Sequence, residues 1–461
     1  MQTILQILTD WLYALIDLLI KPNGFNSKFG RETSIGSRFN KGFVYSKYRK
    51  LSRRRSFESF LISGPTGSGK TQRILLKNLF ELKHCSIVVN DPSKELYNYV
   101  SAYLSQFFDI QTLNFSDSSI SSGYNILSRI KKSSDINKIS HMLVASTLDK
   151  GGGGDAFWSL QTKMVLNIFI RLALYQKKEY RNMANVLYIL SCFVADPTKV
   201  DAWIIATSDK KLILEYKILV AIPEKTLQNI IASAKASLQL FEDEEISKVT
   251  ANDTIDFDTL RLKPTIIFLH NNIADMKYVS ILNGIVFEQL YGHILQKLPE
   301  KNELDLYIIL EECSSLYIPV LPTAINNTRK HRVGNIICVQ SAQAQLKMFY
   351  HDDAINIING CVTKLFLPGQ TSMDILKDLE TYSGKIIHKD AKGTERIKPL
   401  ISVDEIRLLP INRTLILCSN NPIIKGRTSP CYRSSRYKKY MDMPPVPFRG
   451  DISSEPVLLL E

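Results

Sequence analysis

The sequence has no CxxC pair. Its seven cysteines, Cys85, Cys192, Cys313, Cys338, Cys361, Cys418 and Cys431, stand singly, and no close histidine cluster accompanies them. That pattern argues against a disulfide framework and a structural zinc site, and it places the body of the chain in a reducing compartment, the cytoplasm. No basic stretch precedes the first apolar run and no small-residue cleavage site follows it, so the run is not a signal peptide. Internal repeats are missing too. So is an uninterrupted apolar run: Ile4 to Ile20 holds ten Leu/Ile residues, but Asp10 sits in its middle and Asp17 near its end. A central Asp costs roughly 3 kcal/mol against a gain of about 0.5 for each central Leu or Ile, so insertion across a bilayer is close to break-even. Thr3, Gln6, Asp10, Tyr13 and Asp17 recur at spacings of 3 and 4, which puts the polar groups on one stripe of a helix. Residues 1–21 therefore read as an amphipathic helix that lies on a membrane or binds a partner, with packing on the chain's own core and a true span as competing readings.

What the sequence has in excess is positive charge, a formal net +13. Such an excess favours an anionic partner, nucleic acid or an acidic membrane surface. Residues 22–57 form a basic Gly/Ser/Asn-rich connector: between Lys28 and Arg55 stand ten Lys/Arg and one acid, Glu32, with Phe43, Tyr45 and Tyr48 interleaved. It reads either as a solvated linker or as a contact for lipid headgroups or phosphates.

An α/β pattern starts at Ser59. Phe60–Ile62, Ser86–Asn90 and Ile110–Leu113 read as short buried strands, with a helix from Lys70 to about Leu82. Strands alternating with helices imply a mainly parallel sheet covered on both faces. From about 138 to 255 the periodicity is helical, which predicts an inserted all-α domain between two parts of a nucleotide-binding domain, 58–137 and 256–425. Strands resume at Thr265–Leu269, Leu306–Leu310, Asn335–Gln340, Val362–Leu367 and Thr414–Cys418. Residues 426–461, basic and Pro-rich, are expected to be a poorly ordered tail.

Gly64-Pro65-Thr66-Gly67-Ser68-Gly69-Lys70-Thr71 matches G-x-x-x-x-G-K-[ST] in full, between a strand and a helix. The glycines let successive N–H groups converge on phosphate oxygens at a helix N-terminus; Lys70 reaches the β/γ-phosphates and Thr71 offers its hydroxyl to Mg²⁺. ATP and Mg²⁺ are the implied cofactors. Such a loop needs an acid at a neighbouring strand end, and the strand ending Leu310-Glu311-Glu312 offers two. Glu311 suits the metal shell, although Asp is usual there, and Glu312 suits a base or water-orienting group. Gln340, at the end of an apolar strand, suits the γ-phosphate or attacking water, and Arg329 suits stabilisation of charge on the transferred phosphoryl.

Taken together, the chain resembles the TraG/TraD-type coupling proteins of conjugative DNA transfer and type IV secretion. The likeness covers residues 59 to 425 and rests on GPTGSGKT (64–71), VVNDPSKELY (88–97), GYNILSRI (123–130), DAFW (155–158), LYIILEECSSL (306–316), TRKHRVGNIICVQSAQAQL (328–346) and VDEIRLLP (403–410). It implies a RecA-like P-loop ATPase working as a homo-hexamer at the cytoplasmic face of the bacterial inner membrane. In such a ring Arg329 would act on the neighbouring subunit's γ-phosphate, Gln340 would sense nucleotide, and Asp91 and Lys94 would match a second acidic motif. The partners implied are single- or double-stranded DNA, a relaxase or secreted protein, and channel components. The family usually carries two N-terminal transmembrane helices, where this sequence shows one doubtful amphipathic helix. Two other readings stay open: a DNA translocase like FtsK or HerA, although neither a winged-helix reader nor a long linker is apparent, and a nucleotide-bound recruitment platform with little hydrolysis.

Overall fold

The computed structural model describes residues 26–148, 156–389, 394–448, 450–452 and 456–460. The expected amphipathic helix at 1–21 lies outside them. Among the described residues no helix is long and apolar enough to cross a membrane.

β-Branched runs too short for helices build one nine-stranded sheet. Its strands are β1 (Phe60–Ser63), β2 (Cys85–Asn90), β3 (Asp109–Leu113), β4 (Thr265–Leu269), β5 (Asp305–Leu310), β6 (Val333–Val339), β7 (Thr363–Phe366), β8 (Arg413–Cys418) and β9 (Ile424–Arg427). They lie in the order β9-β8-β7-β1-β6-β5-β2-β4-β3. The seven from β7 to β3 pair in parallel, whereas β8 and β9 run antiparallel at one edge. Every residue of β1, β2, β4, β5 and β6 is buried. Burial on both faces is why these strands read as continuous apolar runs and not as alternating ones.

The helices between Ser133 and Ala251 fall between β3 and β4, strands that are themselves neighbours. Their core is not separate. One contiguous cluster runs from Leu61, Val88 and Ile308 on one sheet face to Phe169, Leu190 and Ile230 among the helices. The opposite face has its own cluster, including Ile62, Leu79, Val89 and Phe268.

Two expectations are corrected. Phe43 and Tyr45, interleaved with charge in the supposed connector, are fully buried, and Phe43 packs edge-on against Tyr307 at 5.1 Å. Apolar area outweighs the charges around it, and Arg53 is bound to the carboxylate of Asp305. The second concerns the tail. β9 extends the sheet, and the helix Ser435–Met441 docks through Tyr440, stacked on Tyr103 at 3.9 Å, and through Tyr437 and Arg436, which meet Glu81 at 2.7 and 3.0 Å. Three aromatic or guanidinium side chains within five residues supply enough contact area to order a segment that its basic composition disguises.

Candidate active site

Strands β1, β6 and β5 end side by side at the carboxyl edge of the sheet. β1 leads into the loop Gly64-Pro65-Thr66-Gly67-Ser68-Gly69-Lys70. Gly67 and Gly69 have φ of 80° and 88°, a left-handed region open to glycine at no steric cost. A Cβ on Gly64 would lie 2.6 Å from the Ser68 hydroxyl, so this position has no room for a side chain. The helix after the loop opens with a widened π turn, Thr71–Leu75, before the α-helix Leu76–Glu81. A π turn in this place departs from the uninterrupted helix that the periodicity predicts; such turns are frequent at functional sites.

Side chains from the three strand ends meet here. Lys70 Nζ donates to the carbonyl of Gly64 at 2.7 Å, folding back over the loop. Thr71 Oγ1 donates to Glu311 Oε1 at 2.8 Å, joining residues 240 positions apart. Gln340 Nε2 donates to Glu312 Oε2 at 3.2 Å, and the Ser314 hydroxyl donates to the other oxygen of the same carboxylate. The Gln340 backbone is steadied by Gln345, whose Oε1 accepts from the N–H of Gln340 at 2.7 Å and of Ser341 at 3.2 Å.

Several polar atoms here are buried without a hydrogen-bond partner among the described residues: Ser68 Oγ, Glu311 Oε2, both amide atoms of Asn90, and Ser341 Oγ. Each such atom costs of order 1–3 kcal/mol, so a row of them along one sheet edge argues for a polar ligand that completes them. Burial pushes the Glu311 carboxyl well above the usual range, and the charge of Asp91 pushes it further, against the hydrogen bond from Thr71. Asp91 is raised by burial too, although its carboxylate accepts backbone N–H groups of Leu96 at 3.1 Å and Tyr97 at 2.7 Å. Two buried acids with one unpartnered oxygen form a place where a divalent cation would be welcome.

Of the residues singled out in the sequence, Gly64 to Thr71, Glu311, Glu312 and Gln340 come together at this edge. Arg329 does not. It precedes β6, whose seven residues span about 23 Å. It therefore sits at the opposite edge from its own Lys70, and its guanidinium, half-exposed, pairs with Glu58 at 3.3 Å. Lys94 takes a left-handed φ of 60°, and its ammonium lies 5.5 Å from the ring centre of Tyr97. The pairing of Asp91 with Glu311 was not legible as such, nor were Asn90 and Ser341. The missing signal was register: Asn90 lies opposite Leu310 in parallel strands, so the next residues, Asp91 and Glu311, emerge side by side.

The raised carboxyls have a consequence for stability. A carboxyl whose folded value exceeds its unfolded one favours folding while protonated, and that contribution is lost as pH rises through the folded value. Nucleotide-free protein in chelator should therefore melt at progressively lower temperature from mildly acidic to mildly alkaline pH. Glu311→Gln should flatten that slope. A variant slope as steep as the parent's would show that the two acids do not share this environment.

Comparison with known proteins follows the same lines. The family described as type IV secretory system conjugative DNA transfer matches residues 27–446. The protein VirD4 of Agrobacterium fabrum (strain C58) is 22% identical over 205 residues, 41% of this chain and 31% of that protein, so the match spans about a third of that relative's length. Among solved structures, the bacterial conjugative coupling protein TrwBdeltaN70, in its trigonal form with sulphate, superposes with a TM-score of 0.69 at 17% identity, covering 94% of this chain and 96% of that one. The plasmid coupling protein TrwB in complex with ADP and Mg²⁺ gives 0.65 at 17% identity, with 87% and 93% covered. At such identity the likeness is one of fold, a RecA-like P-loop domain with an all-α insertion. With the family match extending over most of its length, the chain belongs to the type IV secretory system conjugative DNA transfer family.

Proposed function

We propose that this chain is an ATP-hydrolysing coupling protein that recruits DNA with its relaxase, or a protein substrate, and delivers it to a type IV secretion channel. The observation that carries the reading is the junction of Thr71 with Glu311 beside the Glu312–Gln340 pair, three strand ends converging on a glycine-rich loop. Open space in front of Gly67 and the unpartnered Ser68 and Glu311 oxygens suit a triphosphate and its cation. The names of the neighbouring TrwB structures, one holding ADP and Mg²⁺, support the same ligands.

On this reading the loop N–H groups and the start of the following helix face the phosphates, and Lys70 exchanges the Gly64 carbonyl for phosphate oxygens. Thr71 and Glu311 would hold Mg²⁺ or its waters, and the cation would supply neutralisation of phosphate charge. Glu312 takes the proton of the attacking water, with Gln340 fixing which carboxylate oxygen faces it. Arg329 acts in trans, in a homo-hexamer, on the neighbour's γ-phosphate. Residues 138–255 form the unit that meets cargo, and residues 1–21 hold the chain at the cytoplasmic face of the inner membrane.

Steady-state ATPase measurements with and without single- and double-stranded DNA at low salt test the whole. Turnover should rise with DNA and vanish in Lys70→Ala; background turnover in both would end the motor reading. Glu312→Gln should keep ATP binding while lowering turnover by about 100-fold or more, the scale of a lost general base. Arg329→Ala should be inactive alone and partly rescued by mixing with Lys70→Ala subunits, because the mixed interface restores one intact site. No rescue at any ratio counts against a shared site. Removal of residues 1–21 should move the protein from the membrane fraction to the soluble one, and unchanged recovery with membranes would refute the anchor.

A further inference from the structure

The helical insertion carries a second polar arrangement that the nucleotide reading does not use. Asn185, in the first turn of the helix Met183–Ala195, is buried, yet its side-chain amide is spent on a segment far away in sequence. Nδ2 donates to the carbonyl of Leu458 at 2.9 Å, and Oδ1 accepts from the N–H of Leu460 at 2.8 Å. A carbonyl and the N–H two residues on, both on one side of an extended chain, are the pair that a residue of a neighbouring parallel strand would engage. The amide of Asn185 imitates such a residue. Asn182 fixes its orientation: Asn182 Oδ1 accepts from the backbone N–H of Asn185 at 2.9 Å and from Nδ2 at 3.2 Å.

The segment is read by main chain and by one side chain. Leu460 is 5% exposed and joins the core of the insertion, whereas Leu458 and Leu459 are 62% and 48% exposed. Its approach is built as well. Tyr97 and Ser101, on the nucleotide-binding side, hold Val446 at 2.8 and 3.1 Å. Gly450 passes the turn at Ser118–Ser121 so closely that a Cβ would lie 2.5 Å from the Ser118 carbonyl. Asp451 then accepts from Thr254 at 3.0 Å on the insertion.

We infer that Asn185 marks a peptide-binding site on the helical insertion, which takes an extended segment by its main chain plus one buried apolar side chain, and that residues 456–460 occupy it in cis. Among the described residues, two hydrogen bonds from Asn185 and one buried leucine hold the occupant, so it exchanges with an extended apolar peptide of like chemistry. A competing peptide therefore binds only when the chain's own segment leaves.

The test uses the full chain and a fluorescent peptide of residues 456–461, Pro-Val-Leu-Leu-Leu-Glu, followed by anisotropy. Leu460→Asp, which evicts the chain's own segment, should bind the peptide about tenfold more tightly than the parent chain, the scale set by one lost competing contact. On that variant, the same peptide methylated at the backbone nitrogen corresponding to Leu460 should bind about tenfold more weakly, because the donor to Asn185 is gone. The protein is unchanged in that comparison, so folding does not enter. Asn185→Asp, which keeps the acceptor and loses both donors, should weaken binding in the same background. Failure of the correctly melting Leu460→Asp chain to bind, equal binding by parent and variant, or indifference to the methyl group each overturns the site. Nucleotide hydrolysis is untouched by any of these outcomes, so the two readings stand or fall separately.

Discussion

The contact between Thr71 and Glu311 is the constraint around which the carboxyl edge of the sheet is arranged. It ties the first turn after the glycine-rich loop to the end of β5, across the intervening β6. Glu311 is a methylene longer than the aspartate usual at such a place, and its carboxylate meets the threonine hydroxyl directly. Its other oxygen faces the buried neighbourhood of Asp91 without a partner. Two acids so placed repel each other, and in water-poor surroundings neither is well solvated. The edge is thus electrostatically uncomfortable by itself, and a cation between the acids would relieve both the repulsion and the unpaired oxygen. Strain of this kind is common where binding must be coupled to a change elsewhere.

That coupling has a physical route available. The insertion and one face of the sheet share a single core, so its helices cannot shift as an isolated body without disturbing Leu61, Val88 and Ile308. The junction between the sheet and the insertion is pinned by polar contacts. Tyr124, fully buried, donates to Gln289 at 2.7 Å; Arg129 stacks over Tyr124 at 4.4 Å and binds Asp253. Tyr124 and Arg129 belong to the GYNILSRI stretch, and their contacts tie the start of the insertion to its end and to the helix Ser280–Ile294. Interiors packed this densely move between discrete arrangements and do not deform continuously.

The sheet and the loop were legible because their signals are local. A glycine-rich loop between a β-branched strand and a helix, and an apolar strand closed by Glu311 and Glu312, can each be read within ten residues. What escaped reading depended on partners distant in sequence. Phe43 and Tyr45 looked like aromatics interleaved in a basic connector, but Phe43 packs on Tyr307 and Tyr45 is buried in the same core. β9 was hidden because Ile424–Arg427 alternates buried and exposed residues at an edge, a pattern too short to stand out. Tyr437 and Tyr440 lay in a run of lysine and arginine whose charge masked the stacking on Phe80 and Tyr103. Composition predicted solvation where tertiary contact prevailed.

The length of β6 carries the last step. Gln340 and Arg329 flank it at opposite ends, and a strand of seven residues is far longer than an arginine side chain. Within one chain, then, no rotamer brings Arg329 to the phosphates that Lys70 would hold, and a role for it in hydrolysis requires a second copy. What holds it now is consistent with that requirement. Glu58, itself largely buried, pairs with the guanidinium without burying it, so Arg329 stays half-exposed. The half-exposed guanidinium is thus within reach of an anion across an interface, while Arg55, 4.0 Å from Glu58, leaves that carboxylate a second cation. The same sheet that gathers Thr71, Glu311, Glu312 and Gln340 at one edge therefore also holds Arg329 apart from them, so the proposed role of Arg329 in trans follows from the length of one strand.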